Sequence, residues 1–203
     1  MEITDTVKQI KQSFRLVMNG PAAASMREKG INYKLNWGVP YIELKKMAEQ
    51  YGKSAELAIA LWKEDIRECK ILATLIMPVS EFKEDIASVW IEQVTTQEIA
   101  EMLASNLISK EPYALRLAYQ WLATTQSYYE ICGYNIMSRL FMKGEAPGEA
   151  DINEFIDQAI TDISGKSTAI AHAAFNAVNK FCDLGEVYYR IARSAMRKIG
   201  IEL

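Results

Sequence analysis

The chain has 203 residues, half of them hydrophobic and 24% charged, which excludes a disordered polymer; its 10 Gly and 5 Pro are too few for a fold of many short strands and turns. A net charge of −3 gives no overall basic signature of nucleic-acid binding. No stretch approaches the ~18 consecutive apolar residues of a membrane span, and the polar Met1–Asp5 lacks the apolar core of a signal peptide, so a cytoplasmic protein without a membrane partner is expected.

Start and stop signals divide the sequence into a succession of short helices. The first runs from about Asp5 to Met18, with Val7, Ile10, Phe14, Val17 and Met18 at helical spacing and Asn19-Gly20 as its stop. A short helix near Ala22–Glu28 and an irregular segment, Gly30–Val39, follow. Pro40 suits the first turn of a helix ending near Tyr51-Gly52. Ser54 caps a helix through Lys63 and Asp65 one through Ile76. Pro78 closes that helix, and Ser80 caps the next, through about Ile91. Thr95 with Glu98 reads as a capping box opening a helix to about Leu107. Pro112 starts a helix ending near Thr124, and another spans about Ser127–Phe141. Lys143–Ala150 is linker-like, and Asp151 with Glu154 opens a helix to Ile163. The last two helices cover about Ser167–Phe181 and Glu186–Ile199.

Helices this short, joined by connections of about 2–6 residues, pack as antiparallel hairpins. A pair recurs about every 30–40 residues, which predicts one all-α domain, 1–203, of stacked helical repeats forming a short curved superhelix. A compact helix bundle is the alternative.

Charge is unevenly spread: +3 over residues 1–50, −4 over 51–110, −5 over 111–165 and +3 over 166–203. Basic ends permit a local anion-binding face. Arg190, Arg193 and Arg197 share one face of the last helix, and Lys45 and Lys46 follow Pro40; each would suit phosphate, or simply form a solvated helix face. Gln97 and Thr96 lie at a helix start, where they would either reach a ligand or, the favoured reading, satisfy the helix terminus. Cys69, Cys132 and Cys182 are widely spaced in apolar stretches and read as buried free thiols. His172 is the one histidine and the cysteines are scattered, so a zinc site has no support. Tyr33, Trp37 and Tyr41 lie in or beside the irregular segment and would either stack on a base or plug the core.

Several spaced motifs resemble the AlkD-like DNA alkylation repair family, over about residues 5–200. They are Gly38-Val39-Pro40 with Leu44-Lys45-Lys46-Met47-Ala48, Glu56-Leu57-Ala58 leading to Leu61-Trp62, Ile66-Arg67-Glu68 running into Ile71-Leu72-Ala73, Trp90, and Trp121-Leu122-Ala123-Thr124. The resemblance implies HEAT-like repeats whose concave basic face cradles double-stranded DNA, and a glycosylase for cationic alkylpurines that needs no metal and no cofactor. In such chemistry a carboxylate stabilises the positive charge developing on the sugar.

By this resemblance the catalytic aspartate falls on Glu101 and the tryptophan four residues before it on Gln97. The DNA-clamping arginine falls on about Ile131 and the last tryptophan near Asn176. One carboxylate survives of four positions. The expectation is therefore a DNA-binding family member with diverged or absent glycosylase activity, whose candidate residues are Glu101, Lys45, Lys46, Gln97, Arg190, Arg193 and Arg197. A non-catalytic helical module for protein–protein interaction is the alternative, and in it Glu101 is an ordinary solvated helix carboxylate.

Overall fold

The structure, a computed structural model, describes residues 2–203, so Met1 of the polar N-terminal segment lies outside the described residues. Among the described residues there are twelve α-helices and two 3₁₀ turns, and no strand beyond an isolated parallel bridge between Leu35 and Ile66. None of these helices is long and apolar enough to cross a membrane. The helices divide into two compact units, Met1–Leu107 and Ile108–Leu203.

The first unit holds α1 (Ile3–Phe14), α2 (Gly20–Glu28), α3 (Tyr41–Tyr51), α4 (Ala55–Trp62), α5 (Arg67–Ile76), α6 (Glu84–Glu92) and α7 (Gln97–Asn106). Helix α5 is its centre: α3, α4 and α7 all pack against it. It buries Cys69, Ile71, Leu72, Ala73 and Ile76 on several sides, an all-round burial expected of a helix enclosed by neighbours. Each fully buried Leu or Ile contributes roughly 1.5–3 kcal/mol. The indoles of Trp62 and Trp90 stack with centroids 4.1 Å apart and planes 2° from parallel, tying α4 to α6. Burial pushes the Cys69 thiol up to about 12, with the charge of Glu64 adding to it, so the group is an inert core filler.

The second unit holds α8 (Ala114–Leu122), α9 (Ser127–Met142), α10 (Glu149–Gly165), α11 (Thr168–Cys182) and α12 (Glu186–Arg197). Helix α9 packs on α8 and α11, and α11 on α10 and α12. Phe141, Phe155 and Phe181 form a ring cluster with centroids 5.1 to 5.5 Å apart. Gly133 lets α9 close on α8: a Cβ there would stand 3.0 Å from Leu122 Cγ and 3.1 Å from the Ala118 carbonyl oxygen. Buried Asp162 is satisfied by Tyr134 Oη at 2.6 Å and Gln158 Nε2 at 3.0 Å, whereas buried Glu130 has an ion pair with the Lys166 ammonium at 3.0 Å and, among the described residues, no hydrogen bond to either carboxylate oxygen.

Several expected helix starts move. Pro40 is the N-cap residue of α3 rather than part of its first turn. Ile66, not Asp65, precedes α5, because backbone pairing with Leu35 fixes that residue in an extended conformation. Ser80 sits within the 3₁₀ turn Val79–Glu81, and α6 begins only after Lys83. Thr96 rather than Thr95 caps α7, through the Ile99 N–H. Helix α10 starts at Glu149 after Gly148, which places Asp151 and Glu154 inside the helix, where Asp151 complements the helix dipole instead of capping it.

Candidate functional site

The irregular segment before α3 is organised by two side chains of α5. Glu68, fully buried, accepts backbone N–H groups from Trp37 at 3.2 Å and Val39 at 3.2 Å. Its neighbour Arg67, 3% exposed, donates Nη1 to the Val39 carbonyl at 3.0 Å and to Glu68 at 3.1 Å. The rest of the guanidinium faces α7: Nε and Nη2 bind the two oxygens of Glu98 at 2.7 and 2.6 Å. Such a two-pronged, charge-assisted pair is strong and directional.

Tyr33 completes the network. Its hydroxyl donates to Glu98 Oε2 at 2.5 Å and accepts from Thr96 Oγ1 at 2.9 Å. Burial, then the negative charge of Glu98, holds the Tyr33 hydroxyl far above its ordinary value. Burial alone would lower the Arg67 guanidinium; the hydrogen bonds and charge of Glu98, with those of Glu68, outweigh it and leave it raised. Glu98 is therefore an ion-pair partner and not the reciprocal member of a capping box.

Gly38 is the backbone condition for this loop. Its φ is +67°, and a Cβ would meet the Asn19 carbonyl oxygen at 2.1 Å. Only glycine accepts both.

One turn further along α7, Gln97 Nε2 donates to Glu101 Oε1 at 2.7 Å, and both side chains are half-buried. The structure thus brings Gln97 and Glu101 together. A carboxylate with one amide donor carries charge suited to stabilising a nearby cation, yet the position four residues before it offers an amide and no aromatic face. Lys45 and Lys46 are exposed on α3 in the same unit; Lys46 pairs with Glu43 at 2.8 Å, and Lys45 borders a cleft of about 310 Å³ with Ala48, Gly52, Lys53 and Leu75.

Arg190, Arg193 and Arg197 stand on α12 in the second unit, all exposed. Arg190 pairs with Glu186 at 2.8 Å, and Arg193 lies 5.9 Å from the Tyr189 ring centroid. Ile131, where the resemblance places the clamping arginine, is 1% exposed inside that unit's core. Asn176 is exposed and bonds His172 at 3.3 Å.

The aromatics of the irregular segment divide by role. Tyr33 serves the buried network; Trp37 is half-buried beneath the Arg15 guanidinium, 5.4 Å from its centroid; Tyr41 reaches Asn106 Oδ1 at 3.3 Å. In the sequence Arg67 and Glu68 carry no catalytic or binding motif of their own; the signal for them is two adjacent opposite charges in the apolar run leading to Ile71-Leu72-Ala73. Cys69 and Cys132 are buried free thiols, while Cys182 is half-buried.

Comparison with known proteins supplies a context for this arrangement. Residues 10–174 match the family described as DNA alkylation repair enzyme. No curated protein matches the chain. A solved structure described as a new family of proteins related to the HEAT-like repeat DNA glycosylases, with affinity for branched DNA structures, superposes with a TM-score of 0.86. It shares 18% identity and the match covers 96% of this chain and 83% of that one, so the all-α, HEAT-like repeat fold is common to both.

Proposed function

The chain belongs to the DNA alkylation repair enzyme family, and from that premise we propose that it is a cytoplasmic protein that binds double-stranded DNA, bent or branched forms included, without excising alkylated purines. The observation that carries this reading is the burial of Ile131, 1% exposed, at the position where the family resemblance places an arginine on the DNA backbone. An apolar core residue cannot clamp a phosphate. Charge-assisted hydrogen bonds of that kind are worth about 1.5–3 kcal/mol, and a cation–π interaction about 0.5–2.

Binding itself needs less. Lys45, Lys46, Arg190, Arg193 and Arg197 are exposed cations on helix faces, and Gln97 at the start of α7 can donate to a phosphate or base. The solved relative with affinity for branched DNA supports a preference for non-linear structures. Glu101 would stabilise a cationic sugar only if a lesion reached it, and Gln97 already holds its Oε1. The acidic stretch 51–165 favours a second reading, a protein-interaction module, in which no DNA affinity exists.

The test measures duplex and four-way-junction binding across a salt series, together with purine release from methylated DNA. Binding should weaken steeply with salt, and Arg190/Arg193→Ala should reduce the slope by about 0.9 for every phosphate that the variant no longer neutralises. Methylpurine release should equal the spontaneous rate. Release above that rate, abolished by Glu101→Gln, would refute the non-excising reading, and absence of binding at low salt would favour the protein-interaction module.

A further inference from the structure

The turn between α1 and α2 leaves two large apolar side chains in solvent: Leu16 is 86% exposed and Met18 58%. The turn is not loose. Leu16 and Val17 N–H groups donate to the Ser13 and Phe14 carbonyls, and the Asn19 N–H donates to the Trp37 carbonyl at 2.9 Å. Asn19 Oδ1 accepts the Ala22 N–H at 3.0 Å, and its carbonyl lies where any side chain on Gly38 would have to go. Leu16 and Met18 are therefore displayed by a backbone fixed on both sides.

The stretch of sequence that carries them has charge of one sign. Between Thr6 and Arg27 the sequence holds Lys8, Lys11, Arg15 and Arg27 and no acidic residue. Lys8 and Lys11 are paired with Asp5 and Glu64, whereas Arg15, next to Leu16, faces the Trp37 ring. Two side chains offer far less than the roughly 800 Å² per partner of a specific protein interface. The other exposed aliphatics of the first unit stand on other segments: Leu35 in the loop before α3, and Ile42, Ile59 and Val89 on α3, α4 and α6. A step between base pairs needs no such area, because a side chain inserted there is covered on both faces by the bases.

We infer that the Leu16–Met18 turn is an apolar wedge that seats against base faces at an unstacked or branched step of DNA, with Arg15 beside it on the backbone. This inference rests on the DNA-binding reading above. It adds a structure-selecting element, since intact stacking offers such side chains no place and a branch point does.

The experiment uses the full chain and a four-way junction carrying 2-aminopurine at the branch point, with a linear duplex of the same sequence as the reference. The wild-type protein should raise 2-aminopurine emission. Leu16→Ser/Met18→Ser should lose that rise and bind the junction roughly tenfold more weakly, with linear-duplex affinity unchanged. Leu16→Met/Met18→Leu, which keeps apolar bulk, should behave as wild type. Because both positions are exposed, the melting temperature should not move. A serine variant with unchanged emission and junction affinity overturns the wedge while leaving DNA binding intact. A wild-type protein that binds neither DNA overturns the DNA reading and the wedge with it.

Discussion

Arg67 on α5 and Glu98 on α7 share two parallel hydrogen bonds, 2.7 and 2.6 Å long, although 31 residues separate them in sequence. The pair joins the central helix of the first unit to the helix that carries Gln97 and Glu101, and its third donor holds the loop before α3. Removing the guanidinium would strand Glu68, which is fully buried, and loosen Glu98, which is about a quarter exposed.

Arg67→Met should therefore destabilise the protein by about 3–5 kcal/mol, toward the lower end because water can still reach Glu98. Glu98→Gln keeps a hydrogen-bonding partner and should cost on the order of 1 kcal/mol. Urea unfolding checks both: the midpoint should fall much further for the arginine variant, with little change in slope. Equal midpoints would mean that the pair contributes nothing to stability.

Gly38→Ala should cost about 2–4 kcal/mol, since the new methyl group must occupy left-handed backbone and displace the Asn19 carbonyl. Gly200→Ala is the control, because it has a positive φ but open space around it. Thermal melts should show the larger loss at position 38. Similar losses at both positions would assign the effect to backbone conformation alone.

Three of the ten tyrosines, Tyr33, Tyr119 and Tyr134, have hydroxyls raised above their ordinary value, in each case chiefly by burial. In the unfolded chain they ionise near pH 10, and in the folded protein they stay protonated. The folded state thus binds more protons above that pH. The stabilisation is fully present below about pH 10 and is lost as the pH rises beyond it. Absorbance at 295 nm should show a wave of tyrosinate formation coincident with loss of helical circular dichroism. Tyr33→Phe should shrink that wave. Complete ionisation of the tyrosines while the helices persist would contradict the buried placement.

Helix existence was legible because apolar spacing records which face is buried, and Ile10, Phe14, Leu61, Phe155 and Phe181 all lie in the core. The true helix starts were less so, for local hydrogen bonding competes with longer-range partners. Glu98 stands at a spacing from Thr95 that suits a capping box, yet the Arg67 guanidinium offers it a stronger bond than a backbone N–H. Asp65 is a good capping residue left unused because Leu35 arrives beside Ile66 from 31 positions earlier. The contact of Gln97 with Glu101 follows directly from i,i+4 spacing. The Tyr33–Glu98–Arg67–Glu68 network does not, since it needs the irregular segment folded back across two helices.

The Gly38-Val39-Pro40 motif helped carry the family resemblance, and the structure gives each part a mechanical duty: Gly38 clears Asn19, Val39 offers its N–H to Glu68 and its carbonyl to Arg67, and Pro40 leads into α3. None of these duties involves a reaction. The motif therefore marks how the first unit is assembled, whatever that unit acts on.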